Sequence, residues 1–382
     1  MSIPQRNELS TAVPLTVFGI DTTIGQNVHG VPSMPLNEPL AVLNPGGRDP
    51  MIDYAPGPGM PGPGVHPPVN FHAYAAATQG AFCDSVDQVL AGRRFGHCLV
   101  LLRRRLQPCR EAVRRLRAAG ITVWVAWKEC SSFQIAEQLE DPKLWEIYAD
   151  ILAMSQGIVT PTMAPPPLPV TSVELRILDI PTPYPVDLAA WDFSSHLAER
   201  RGIFLGTREL FTASRNHLAA LTMALRVARR TGTHVTVINS EKGRGRRMLE
   251  ALGLGTEPGQ LRIIECRLPY HEYLRQISWH RVVFQLDRSG VPGQVAGDAL
   301  LCRTVCLGGN SAVERIAFPN ESYPALAEGD AEIHLEALLT DDAVYRAAIE
   351  ASQQRALRLL SFAAVGQQIR EAMAKRAAGT PG

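Results

Sequence analysis

Residues 287–309 read DRSGVPGQVAGDALLCRTVCLGG, between the apolar stretch VVFQL and the segment NSAVERIAFP. After its opening aspartate the run is built from small residues, with one further carboxylate, Asp298. The pattern predicts a strand over 281–286, a glycine-rich turn, a helix over about 293–302, and a second strand in TVCLGG. Gly290, Gly293 and Gly297 allow another group to approach the backbone closely, and a helix starting near Pro292 turns its first amides outward. A strand, a tight turn and a helix in that order are half of a βαβ unit.

The same rhythm extends on both sides. Upstream, GIFLGT (202–207), HVTVIN (234–239), LRIIEC (261–266) and RVVFQL (281–286) read as strands. Helices are expected between them over 217–232, 245–253 and 271–277, the first two ending at Gly232 and Gly253. An earlier series has strands at 98–103, 121–127 and 157–162. Its helices are expected over 75–92, 108–120, 133–140 and 141–155. Short apolar strands alternating with helices imply parallel sheets, so the fold class is α/β. The breaks at APPPLPV (164–170) and IPTPYPVD (180–187) separate two series that join near 185–200. The expected organisation is a Pro/Gly-rich irregular segment (1–70), an α/β domain (71–186), a second α/β domain (187–345) and a helical terminal segment (346–382). Short strands are also expected at LTVFGI (15–20) and LAVLN (40–44).

Gly57, Gly59 and Gly62 match a G-x-G-x-x-G spacing, but Pro58, Pro61 and Pro63 forbid the helix that such a motif needs. The 382 residues carry a net charge of +1, with 46% apolar and 20% charged side chains. That balance excludes a global field for nucleic acid or an anionic membrane. The basic run GRGRR (243–247) lacks the interleaved aromatics of a nucleic-acid surface. Seven cysteines, none in a C-x-x-C pair, read as reduced structural thiols, with Cys302 and Cys306 expected on one buried helix or at its end. The N-terminus lacks a signal-peptide pattern, and no apolar run reaches eighteen residues. A cytoplasmic location is therefore expected, leaving the sequon at Asn320 without a use.

Three phrases carry a resemblance. GIFLGTRELFTASRN places basic residues, Arg208 and Arg215, in the loop after a strand. IPTPYPVD sits at the junction of the two series. DALLCRTVCL places Asp298 ahead of a strand. Over roughly 174–319 the chain resembles the C-terminal domain of GT-B glycosyltransferases, in particular the retaining group that includes glycogen synthase. The resemblance implies two Rossmann-like domains facing across a cleft, with a C-terminal helix crossing back to the first domain. That group carries an E-x7-E motif. Here Asp298 stands at the second acid, and Gly290 at the first.

The resemblance also implies a nucleoside-diphosphate-sugar donor as substrate, no other cofactor and no metal, and a sugar transfer that retains configuration. Arg208 and Lys242 are the expected catalytic cations, stabilising the departing diphosphate. Arg215, Gly290, Gly293, Asp298, Gly308 and Gly309 are expected to contact the donor, with Asp298 accepting the ribose hydroxyls. Arg267 and Leu268, in ECRLPYHEY (265–273), would hold the base by main-chain groups. On the acceptor side, Lys128 and Glu129 follow a strand and precede a helix, with Ser131 or Ser132 as its N-cap. A cleft histidine is usual in the group, and His29, His66 and His72 are the candidates. The acceptor is an unidentified saccharide, lipid-linked, protein or other molecule. Other readings are a catalytically silent GT-B binding or scaffold protein, and a nucleotide-sugar epimerase. The oligomeric state is left open.

Overall fold

The computed structural model describes residues 39–46, 68–91, 95–170, 175–206, 209–323, 326 and 328–374. The expected strand at 15–20, the proline-rich run over 47–67, His29, His66 and Arg208 lie outside them.

Two parallel sheets organise the chain. The first is ordered β2-β1-β3-β4-β5-β6, with β1 at Leu40–Leu43, β2 at Ala81–Cys83, β3 at His97–Leu102, β4 at Thr122–Trp127, β5 at Gly157–Thr160 and β6 at Arg176–Asp179. Around it lie α1 (Asn70–Ala77), α2 (Val86–Ala91), α3 (Leu106–Ala118), α4 (Ser132–Gln138) and α5 (Pro142–Met154). β3 and β4 are apolar on both faces, as a doubly covered parallel sheet requires: from the second residue on, every side chain in each is buried. Helix α3 reads LQPCREAVRRLRA and buries Leu106, Cys109, Ala112, Val113 and Leu116, the 3–4 spacing of one helical face.

The second sheet is ordered β11-β10-β7-β8-β9. Its strands are β7 (Ile203–Leu205), β8 (Val235–Ile238), β9 (Leu261–Ile264), β10 (Val282–Phe284) and β11 (Val305–Leu307). The intervening helices are α6 (His217–Thr231), α7 (Lys242–Leu252), α8 (Tyr270–Trp279) and α9 (Gln294–Leu301). The order reverses at β7: β8 and β9 lie on one side of it, β10 and β11 on the other. Open α/β sheets bind ligands at such a reversal, beyond the strand C-termini.

Beyond β11 come α10 (Ala312–Ala317), α11 (Glu328–Thr340), α12 (Asp342–Leu359) and α13 (Phe362–Ala374). Helix α13 crosses back to the first sheet. Val365, Ile369 and Met373 are buried there with Leu40, Val42, Leu99 and Trp124.

Three sequence expectations change. The helix over 75–92 is interrupted by β2, which pairs with β1. The cause is tertiary: a Cβ on Gly80 would lie 1.9 Å from the Leu40 carbonyl oxygen, so the chain turns there against β1. The terminal helical segment starts earlier and is two helices, parted where Ser361 bridges to Tyr184. Cys302 caps α9, but Cys306 sits in β11 rather than on the helix; both are free and buried.

Candidate functional site

A cavity of about 630 Å³ opens between the two sheets and is lined from both. The second-sheet wall forms where β7 and β10 end. Beyond β7, a short turn over Ala213–Arg215 leads into α6, and it carries Arg215 to the cavity. There Arg215 Nε bonds Glu209 at 2.5 Å, and Nη1 bonds the Asp287 carboxylate and Ser289 Oγ, the latter at 3.0 Å. Burial alone would lower the Arg215 pKa; the Asp287 and Glu209 carboxylates outweigh it and hold it above the ordinary value. Asp287, 4% exposed, also accepts from the Ser289 amide at 2.8 Å. Thus Arg215 reaches the cavity already paired with two carboxylates, Glu209 and Asp287, which line it too.

The loop after β10 leads to α9, whose N-cap is Gly293 at φ 112°. A Cβ there would sit 2.3 Å from Ser311 Oγ. Asp298, one turn into α9, is 1% exposed and lines the cavity. Its Oδ1 accepts from the Tyr270 hydroxyl at 2.5 Å. Burial first, then the Asp298 charge, raises the pKa of Tyr270 well above its ordinary value, which keeps that hydroxyl a donor. Behind α9, Tyr184 fills the place of a side chain at 297: a Cβ on Gly297 would come within 1.9 Å of the Tyr184 ring. The fully buried Tyr184 also donates to the Gly293 carbonyl at 3.4 Å. Close approach at Gly297 is therefore to Tyr184, a protein side chain.

The other expected residues fall into two groups. Arg267 and Leu268, between β9 and α8, line the cavity, and so do Lys128 and Glu129 from the first sheet. Ser131 caps α4 behind them in a complete capping box with Gln134. Gly290, Gly308, Gly309 and Lys242 do not line it. Gly290 has φ 61° and open space where a side chain would stand. Gly308 and Gly309 are packed against the protein itself, with Cβ positions 2.3 Å from the Gln285 carbonyl oxygen and 2.0 Å from Glu314 Oε1. Lys242 is exposed at the start of α7. His72 stacks on Phe82 at 3.6 Å between ring centroids, whereas His271 lines the cavity.

Sequence reasoning missed Gln285, Asp287 and Glu209, and the side chains of Tyr270 and His271. For Gln285 and Asp287 a signal existed: both stand just past the end of a buried strand, where such sheets hold ligands. Asn70 was missed as well. It heads α1 and its Nδ2 lies 3.4 Å from Gln294 Oε1, joining the two walls.

Two parallel α/β sheets facing across a ligand-sized cleft, with the last helix returning to the first sheet, define the GT-B fold. Solved structures of that fold match the chain. A sucrose-phosphate synthase from Thermosynechococcus elongatus superposes with a TM-score of 0.50 at 12% identity, covering 77% of this chain and 78% of that one. A glycosyltransferase from Rickettsia africae gives 0.55 at 7% identity, covering 79% and 86%. The E. coli trehalose-6-phosphate structure bound with UDP-2-fluoro glucose gives 0.52 at 10% identity, covering 78% and 76%. No family model matches the sequence, and no curated protein does. Among the described residues no helix is long and apolar enough to cross a membrane.

Proposed function

We propose that the protein is a glycosyltransferase that moves a sugar from a nucleoside-diphosphate donor to an acceptor held on the first-sheet side of the cleft. The observation that carries this reading is Asp298: a buried carboxylate facing a large cavity, one turn into a helix whose N-terminus lies on the same wall. In this reading Asp298 receives a ribose hydroxyl, and the 267–268 main chain borders the base. The first amides of α9 meet the diphosphate. Positive charge comes from Arg215 and Arg267, since Lys242 stands outside the wall. As the bond from the anomeric carbon to the diphosphate oxygen breaks, the acceptor oxygen bonds the same face. Its proton passes to the leaving phosphate oxygen, so configuration is retained without a metal. The UDP-2-fluoro glucose bound in the E. coli structure supports a nucleotide-sugar ligand for this fold.

A second reading, a GT-B protein that binds the donor and does not turn it over, is favoured by two observations. Gly290 stands where the first acid of the motif belongs, and Arg215 is already neutralised by Glu209 and Asp287.

The test is a thermal-shift panel of nucleoside diphosphates and their sugars on the wild type, Asp298→Ala and Asp298→Asn. One ligand class should raise the wild-type melting temperature, by mass action on the folded state. Asp298→Ala should abolish the rise. Asp298→Asn keeps an acceptor for Tyr270 and so separates lost binding from lost folding. Donor hydrolysis followed on the stabilising ligand then divides the two readings. No shift with any nucleotide sinks both.

A further inference from the structure

Gln285 follows β10 and is 4% exposed, yet it lines the cavity. Its Nε2 donates to Glu314 Oε1 at 2.7 Å. Glu314 is itself 1% exposed, and its oxygens also receive the Ser311 amide at 2.8 Å and the Cys306 thiol at 3.3 Å. A carboxylate surrounded by donors accepts only, so it fixes which end of the Gln285 amide faces it. The NH2 group points to Glu314, and the carbonyl oxygen points away.

That oxygen, Oε1, is buried and has no hydrogen-bond partner among the described residues. A buried amide oxygen without a donor is costly, and few persist without a reason. Its place in the cavity lining indicates one. Oε1 lies 3.4 Å from the position a Cβ would take on Gly206, and that Cβ would also fall 2.6 Å from Val295 Cγ1. Gly206 and Val295 both line the cavity. Val283 Cγ1 would lie 3.1 Å from that Cβ as well, so Gly206, Val283 and Val295 close around the Gln285 amide at the cavity lining, with no room for a side chain at 206.

We infer that Gln285 is a specificity-determining residue whose amide oxygen accepts a hydrogen bond from a hydroxyl of the bound ligand. The chemistry excludes a phosphate oxygen at this point, because ionised phosphate oxygens are acceptors too and would face Oε1 without a proton between them. The site therefore reads the uncharged part of the ligand, either the transferred sugar or the ribose. A ligand lacking that hydroxyl leaves Oε1 buried and unpaired, which is how a polar site rejects a deoxy analogue. The inference rests on the nucleotide-sugar reading above.

The experiment is calorimetry on the wild type and Gln285→Met, which keeps length and removes the acceptor. The probes are the nucleoside diphosphate found by the thermal-shift panel, its 2′-deoxyribose form, its sugar conjugate, and deoxy or fluoro sugar conjugates. Wild-type affinity should fall about tenfold for the one probe that lacks the recognised hydroxyl. Gln285→Met should bind the parent ligand about tenfold more weakly and be indifferent to that hydroxyl, a non-additive cycle. Loss confined to the sugar conjugate identifies the transferred sugar; equal loss for the nucleoside diphosphate identifies the ribose. If the variant does not fold, the wild-type deoxy series alone decides. Parent-like binding of every deoxy and fluoro probe by the wild type overturns the inference while leaving nucleotide binding intact. Absence of any wild-type nucleotide binding instead overturns the reading beneath it.

Discussion

The two walls of the cleft are built differently. On the second-sheet wall, Asp287, Asp298 and, just behind, Glu314 are buried, and each carboxylate is held by hydroxyl, amide or guanidinium donors. On the first-sheet wall, Lys128 and Glu129 are only partly buried, and the element behind them is a seven-residue helix secured by its Ser131 cap. Buried charge is expensive to remove from water and stays in place only with such partners. One wall is thus preorganised, with side chains that cannot reorient without breaking several bonds. The other carries its charge on side chains that are only partly buried.

The largest effect that tests this contrast is at Gly297. Gly297→Ala drives a methyl into the Tyr184 ring, which is fully buried and bonded to Gly293. Chemical denaturation should show a loss of about 3 kcal/mol. An unchanged midpoint would mean that α9 is not clamped and that its wall is no more rigid than the other.

A second test uses pH. His234, just before β8, and His280, before β10, both have pKa values lowered to about 4, chiefly by burial; Arg262 adds to this at His234, while at His280 the Gln276 carbonyl opposes it and the His234 and Arg262 charges add to it. His280 also bonds Thr236 at 2.7 Å. The unfolded chain takes up these protons near pH 6.5, the folded chain only near 4. Between those values the unfolded state binds more protons, so stability is complete above about pH 6.5 and declines as pH falls toward 4. Denaturation at pH 7 and pH 5 should show that decline, and His234→Gln should reduce it. A decline identical in the variant would remove His234 from the account.

The smallest effect is expected across the cleft. Lys128→Ala should change stability by no more than about 0.5 kcal/mol and leave nucleotide affinity as it was. A larger loss would show that the first-sheet wall is as constrained as its counterpart.

How much of this was legible in sequence follows the same division. Apolar strands alternating with amphipathic helices, the cap at Ser131 and the glycine-rich entry to α9 are signals contained within a few to about eighteen residues, and they came through. The helix that carries Asp298 was legible as well, because small residues follow a strand and a glycine turn there. What a local pattern does not encode was decided by tertiary contact. The pairing of Arg215 with Asp287 spans 72 residues, and that of Tyr270 with Asp298 spans 28. Strand β2 pairs with β1, which lies against Gly80, and Glu314, 29 residues on, holds the NH2 end of the Gln285 amide. Sequence periodicity reports which face of an element is apolar; which charge meets which, and which polar atom is left for a ligand, depends on distances that only the packed chain sets.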